Sequence, residues 1–80
     1  MKAHVFVTLK RTVLDAQGQT VADALRRMSY KGVQDVRQGK YFLLTLDGIA
    51  EAEADAEVSR IAREVLVNPV IEEFTYRLEP

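Results

Sequence analysis

Val33-Gln34-Asp35-Val36-Arg37-Gln38-Gly39-Lys40-Tyr41-Phe42-Leu43-Leu44-Thr45-Leu46 is the stretch on which the fold turns. Split into two strands, Val33 to Arg37 and Lys40 to Leu46, with Gln38-Gly39 between them, it predicts a β-hairpin, because glycine admits the backbone angles of a tight reversal. The fallback is one long bent strand with a bulge at Gly39. The hairpin is the expectation adopted. Tyr41 to Leu46 is apolar on both alternating faces, so this strand should be covered on both sides or sit in an assembly.

On the N-terminal side, Ala3, Val5, Val7 and Leu9 alternate with Lys2, His4, Phe6, Thr8 and Lys10, a period of two that predicts a half-buried strand with Phe6 as the apolar exception on its second face. Asp15-Ala16-Gln17-Gly18 supplies turn chemistry. Val21, Ala24, Leu25 and Met28 then fall on one helical face, predicting a helix from about Gln19 to about Tyr30, capped near Gln19 or Thr20 and stopped at Gly32. On the C-terminal side, Asp47-Gly48 ends the hairpin. Ala54, Val58, Ile61, Ala62 and Val65 trace a second helix between about Ala50 and Leu66. Glu51, Glu53, Asp55 and Glu57 precede Arg60 and Arg63, the charge order that complements a helix dipole, so this acidic run is read as structural. Pro69 stops the helix, and Val70, Phe74, Tyr76 and Leu78 share one face of a last strand.

The expected order is strand, helix, strand, strand, helix, strand. That is an α+β, ferredoxin-like βαββαβ two-layer sandwich, one domain over residues 1–80, with a four-stranded antiparallel sheet and two helices on one face. The sheet's other face would carry Phe6, Ile71 and either Tyr41 or Leu43. So small a chain hides only about 60% of the surface its unfolded form exposes. Covering those side chains at about 25 cal/mol per Å² would therefore matter. The predicted interface is Phe6, Tyr41, Leu43 and Ile71, formed by self-association through the sheet or its edge strands.

The 80 residues include no cysteine and a single histidine, and 11 basic against 12 acidic residues give a net charge of −1. No disulfide framework, thiolate metal site or cysteine nucleophile can be built from them, and cytoplasm is the expected compartment. One histidine, His4, read as a surface residue of its strand, is too little for a transition-metal centre or a histidine-relayed hydrolase. No P-loop, dinucleotide fingerprint or nucleophile elbow is present. The charge balance gives no pull toward nucleic acid, and the apolar residues form no block long enough for a signal peptide or membrane span. Arg37 and Lys40 flank the expected reversal, and Lys10, Arg11 and Asp15 surround the first connection. The first pair reads as solvated charge or as a contact for phosphate or an acidic partner surface, the second group as a surface salt-bridge cluster or a docking patch. Asn68-Pro69-Val70-Ile71-Glu72 joins a helix stop to a strand with almost no loop. The docking candidates are Lys10, Arg37, Lys40 and Asn68.

Val5-x-Val7-x-Leu9-Lys10, Val13-Leu14-Asp15-Ala16-Gln17-Gly18, Val21 with Ala24-Leu25, Val33-x-x-Val36-Arg37-x-Gly39-Lys40 and Asn68-Pro69-Val70-Ile71-Glu72 together resemble, in order and spacing, the PurS family, small subunits of phosphoribosylformylglycinamidine synthase. Essentially the whole chain is covered. Ala16 departs from the pattern, standing where the family usually has proline, which removes some stiffness from the turn. The resemblance implies a purine-biosynthesis ligase complex. In it a glutaminase subunit releases ammonia and a synthetase subunit, carrying ATP and magnesium, converts formylglycinamide ribonucleotide into its amidine. It further implies that this chain is a dimer or tetramer that bridges the two, supports ammonia transfer, and binds no cofactor and carries no catalytic residue of its own. Two other readings share the fold: a ferredoxin-like small-ligand-binding regulatory module, and a hydrolase resembling acylphosphatase. The second is disfavoured because the loop after the first strand lacks a glycine-rich phosphate cradle.

Overall fold

A computed structural model describes all residues from Met1 to Pro80. Strand β1 (Lys2–Leu9) lies between β2 (Gly39–Thr45) and β3 (Glu72–Glu79), antiparallel to both, in the order β2-β1-β3. Helix α1 (Ala16–Arg27) connects to β2 through a long return segment, and helix α2 (Glu51–Ile61) widens into a π turn at Ala62–Leu66 before β3. The Val67 amide donates to the Ala62 carbonyl at 3.0 Å, five residues back, and closes that turn ahead of Pro69.

The alternation in β1 sorts side chains as expected. Ala3, Val5 and Val7 are buried against Val58, Ala62 and Val67, while Phe6 is exposed. Val5 pairs with Phe42 and Tyr76, and Ala3 with Leu44 and Leu78, so the flanking strands line the same face. Phe74, Tyr76 and Leu78 do share a face; Val70 lies in the preceding turn and is exposed. The largest fully buried side chains are only valines, and Phe42, Leu44, Phe74 and Leu78 remain half-buried around them. One helix layer therefore covers this face incompletely.

The fold is α+β with two helices, but within this chain the sheet has three strands. Val33 to Gln38 forms no strand, and Gln38-Gly39 is no reversal; Gly39 is the first residue of β2, opposite Thr8. The reason is steric as well as topological. A Cβ on Gly39 would stand 2.4 Å from the Val7 carbonyl oxygen, so this glycine serves a close approach of two strands, not a turn.

Nor do both helices cover the sheet. No residue of α1 joins the core cluster, and Val21, Met28 and Tyr30 are exposed. The buried positions of α1 are Gly18 and Ala22, off the stripe the sequence indicates. The helix and its return segment form an arm projecting from the Leu9 end of the sheet, which stretches the chain to 49 × 26 × 14 Å. Its radius of gyration is 16.0 Å, against about 12 Å for a compact chain of this length. The helix boundaries also shift. Asp15, not Gln19 or Thr20, is the N-cap, and the chain leaves the helix through Ser29 at φ 72°, before Gly32 is reached. The second helix starts at Glu51, with Glu51 and Glu53 in its first turn and Arg60 in its last, the dipole arrangement expected.

Candidate functional site: the root of the arm and the outer sheet face

Asp15 is buried and divides its carboxylate between two elements. Oδ1 accepts from the Gly18 amide at 2.9 Å, capping α1, and Oδ2 accepts from the Gln38 amide at 2.6 Å, holding the return segment. Gly18 permits this closeness, since a Cβ there would meet the Val36 carbonyl oxygen at 2.3 Å. The two amides, helped by the Arg37 charge and opposed by burial, hold the Asp15 carboxyl below its ordinary value of 3.8. The alternatives for Asp15, a surface ion-pair cluster or a docking patch, both give way to a buried cap.

All four docking candidates converge on the same end of the sheet, and each head group is engaged within the chain. Arg37 directs Nη2 at the carbonyls of Leu9, Lys10 and Val13, 3.1 to 3.4 Å away. Lys10 Nζ donates to the Pro69 carbonyl at 2.8 Å. Lys40 Nζ lies 3.2 Å from Glu72 Oε2, while Glu72 Oε1 accepts from the Asn68 amide at 2.8 Å. That amide, with Lys40 behind it and burial opposing, holds the Glu72 carboxyl below its ordinary 4.5. Asn68 Oδ1 in turn accepts from the Val70 amide at 3.1 Å. The composite is a polar root that fixes where the arm points. The sequence places Asp15 in a turn and Glu72 at the helix-to-strand junction, but the capping role of each carboxylate emerges only from the hydrogen bonds.

On the outer sheet face, Phe6 sits opposite Tyr41 with ring centroids 5.3 Å apart, and His4 also stacks with Tyr41 at 5.8 Å. The Tyr41 hydroxyl shares a hydrogen bond with His4 Nδ1. His4 is thus packed, its side chain 13% exposed, and not a free surface residue. Leu43 lies beside it in register. Phe6, Tyr41 and Leu43 are 42%, 53% and 48% exposed, an apolar patch open to solvent. Ile71 stands apart from this cluster in the turn before β3, where its carbonyl accepts from the Lys10 amide at 2.9 Å.

A cleft of about 360 Å³ opens at the root between Thr8, Leu9, Arg11, Asp35, Arg37 and Glu73. Leu9 is its one apolar side chain, whereas small-molecule sites are lined mostly by apolar groups. No helix is long and apolar enough to cross a membrane.

The family model for PurS, described as phosphoribosylformylglycinamidine (FGAM) synthase, matches residues 2–80. The chain belongs to the PurS family. With that membership comes the coarse function, a subunit of FGAM synthase in purine biosynthesis. The phosphoribosylformylglycinamidine synthase subunit PurS of Bacillus subtilis is 44% identical over 78 residues, which are 98% of this chain and 92% of that protein. The Mycobacterium leprae subunit of the same name is also 44% identical, over 98% of this chain and 95% of its own. A crystal form of B. subtilis PurS superposes with a TM-score of 0.85 at 43% identity, covering 99% of this chain and 98% of the other. A chain in the structure of PurLQS from Thermotoga maritima superposes at 0.85 with 32% identity, covering 95% and 93%. These neighbours share the arm-bearing shape over nearly its full length, so the projection belongs to the family fold.

Proposed function

We propose that this chain is the bridging subunit of FGAM synthase. It joins a glutaminase subunit to a synthetase subunit and supports ammonia transfer between them without contributing a catalytic group. The observation that carries this reading is the PurS match along residues 2–80 combined with the state of the polar side chains at one end of the sheet: Lys10, Asp15 and Arg37 are spent on the chain's own backbone, and Lys40 on Glu72. Groups so committed fix geometry; they are not poised to exchange protons with a substrate. The chain acts by self-association, as a dimer or a pair of dimers, and by presenting ordered surfaces to its larger partners. Phe6, Tyr41 and Leu43, with Ile71 at a distance, form contact surface. Lys10, Arg37, Lys40 and Asn68 serve docking by setting the angle of the arm. ATP and magnesium belong to the synthetase subunit, and the complex works in the cytoplasm.

Reconstitution tests this. Omitting the chain from a mixture of the two large subunits is expected to collapse glutamine-dependent amidine synthesis while leaving ammonia-dependent synthesis much less affected. Equal glutamine-dependent rates with and without the chain would refute the bridging role.

A further inference from the structure

Two features of the outer sheet face are incomplete in opposite ways. The cleft of about 360 Å³ beside Thr8 and Glu73 is rich in polar groups but has only Leu9 as an apolar wall. The Phe6–Tyr41 pair is an apolar wall whose one polar group, the Tyr41 hydroxyl, is taken up by His4. A ligand site combines both kinds of lining. Strand alternation puts Phe6 and Thr8 on the same face, one step of about 6.8 Å apart. The register sets Tyr41 opposite Phe6 and Glu73 opposite Thr8, so wall and cleft adjoin.

The charges of the cleft are unspent. Arg11, Asp35 and Glu73 make no ion pair within the chain, and Arg37 engages its own backbone through Nη2 alone, leaving Nε and Nη1 without a partner. Two guanidiniums match the oxygens of a phosphate. Two carboxylates beside them disfavour a bare anion, yet they accept hydrogen bonds from a diol, as an acidic side chain does from a ribose. The occupant must therefore carry hydroxyl donors next to its anionic group. The rings of Phe6 and Tyr41 lie 27° from parallel and are 42% and 53% exposed, which suits them to receive a flat heteroaromatic base. The bond to His4 fixes the Tyr41 ring before any ligand arrives.

We propose that this face binds a nucleoside monophosphate. Its base stacks on Phe6 and Tyr41, its ribose hydroxyls meet Glu73 and Asp35, and its phosphate rests between Arg11 and Arg37. The order of groups along β1 and beyond its end is ring, then hydroxyl and carboxylate, then guanidinium, which is the order base, sugar, phosphate. A net charge of −1 gives no pull on a polyanion, so the occupant is a single nucleotide and not a nucleic acid. The site goes beyond the bridging role and does not rest on it. A nucleotide seated there covers two residues of the proposed contact surface, so ligand and neighbouring polypeptide exclude one another at that face.

Backbone amide shifts of the full chain, recorded during titration with adenosine 5′-monophosphate, test this. Saturable shifts are expected at Phe6, Thr8, Arg11 and Tyr41, with adenosine, ribose 5-phosphate and inorganic phosphate each binding at least about tenfold more weakly. Arg11→Gln removes a side chain that holds nothing in its own chain. It is expected to weaken the monophosphate at least about tenfold and leave adenosine unchanged. Phe6→Leu keeps an apolar side chain and breaks no hydrogen bond; it is expected to weaken the monophosphate and adenosine alike and leave ribose 5-phosphate unchanged. Absence of saturable shifts at those four amides, or binding that survives both substitutions, would overturn the site. Inorganic phosphate binding as tightly as the monophosphate would reduce it to an anion contact and overturn the nucleotide, as would a single-stranded oligoadenylate binding far more tightly than the mononucleotide.

Discussion

Gln38 donates its backbone N–H to the Asp15 carboxylate across 23 positions of sequence, and the same carboxylate caps α1 through Gly18. One side chain thereby locks the two legs of the arm together at the point where they leave the sheet. Asp15→Asn keeps the shape but offers an amide NH₂ where an acceptor is needed, so one backbone donor is left facing a donor. The expected result is a melting temperature several degrees lower and faster exchange of the Gly18 and Gln38 amides, with the β1 amides unchanged.

Acid should act at the same root. The Asp15 and Glu72 carboxyls are both held below their ordinary values of 3.8 and 4.5, the first by Gly18 and Gln38 amides, the second by the Asn68 amide. Each therefore binds fewer protons folded than unfolded. Their contribution is present in full above about pH 5 and is lost as the pH falls past these ordinary values toward the lowered ones. Thermal melts followed from pH 7 to pH 3 should show stability falling with pH, and the fall should be shallower in Asp15→Asn. Parallel curves for the two proteins would remove Asp15 as the titrating group.

Two glycines that look alike in sequence should respond oppositely to alanine. Gly39→Ala sets a Cβ 2.4 Å from the Val7 carbonyl oxygen at the end of the β1–β2 ladder and should cost about 1–3 kcal/mol by chemical denaturation. Gly32→Ala meets nothing within 4 Å and should change stability by less than about 0.5 kcal/mol.

What the sequence makes legible follows from which contacts are local. The β1 alternation, the Ala54, Val58 and Ala62 part of the second helical stripe with its charge order, and the shared face of Phe74, Tyr76 and Leu78 depend on period alone and appear as expected, whereas the π turn after Ile61 shifts the phase and leaves Val65, expected on the stripe, 75% exposed. The hairpin does not, because Gly39 signals a reversal and a close strand approach in the same letter, and only the register with Thr8 and Val7 separates them. The α1 stripe is read correctly as apolar but wrongly as core: periodicity says that a face needs cover, not which chain provides it. Asp15 is legible as a turn residue but not as a cap joining two elements, because its second partner, Gln38, is remote in sequence. The exposure of Phe6 is legible because an apolar residue on the polar side of an alternating strand is visible without coordinates, and that of Tyr41 and Leu43 because their strand is apolar on both faces while one face alone meets the core.

The outer face gives a separate test. Phe6→Glu puts a carboxylate on the Tyr41 ring inside the exposed aromatic cluster. It is expected to lower the oligomeric mass seen by light scattering, or to weaken binding of a large subunit. An unchanged mass and unchanged partner binding would remove this face as a contact surface.

The central claim is that the chain joins larger subunits, and the molar mass of the mixed complex tests it most directly. Glutaminase and synthetase subunits combined with this chain under glutamine turnover conditions are expected to elute as one species containing all three polypeptides, and to separate when the chain is left out. Formation of the same glutaminase–synthetase species without it, at equal yield and with this chain eluting alone, would contradict the account.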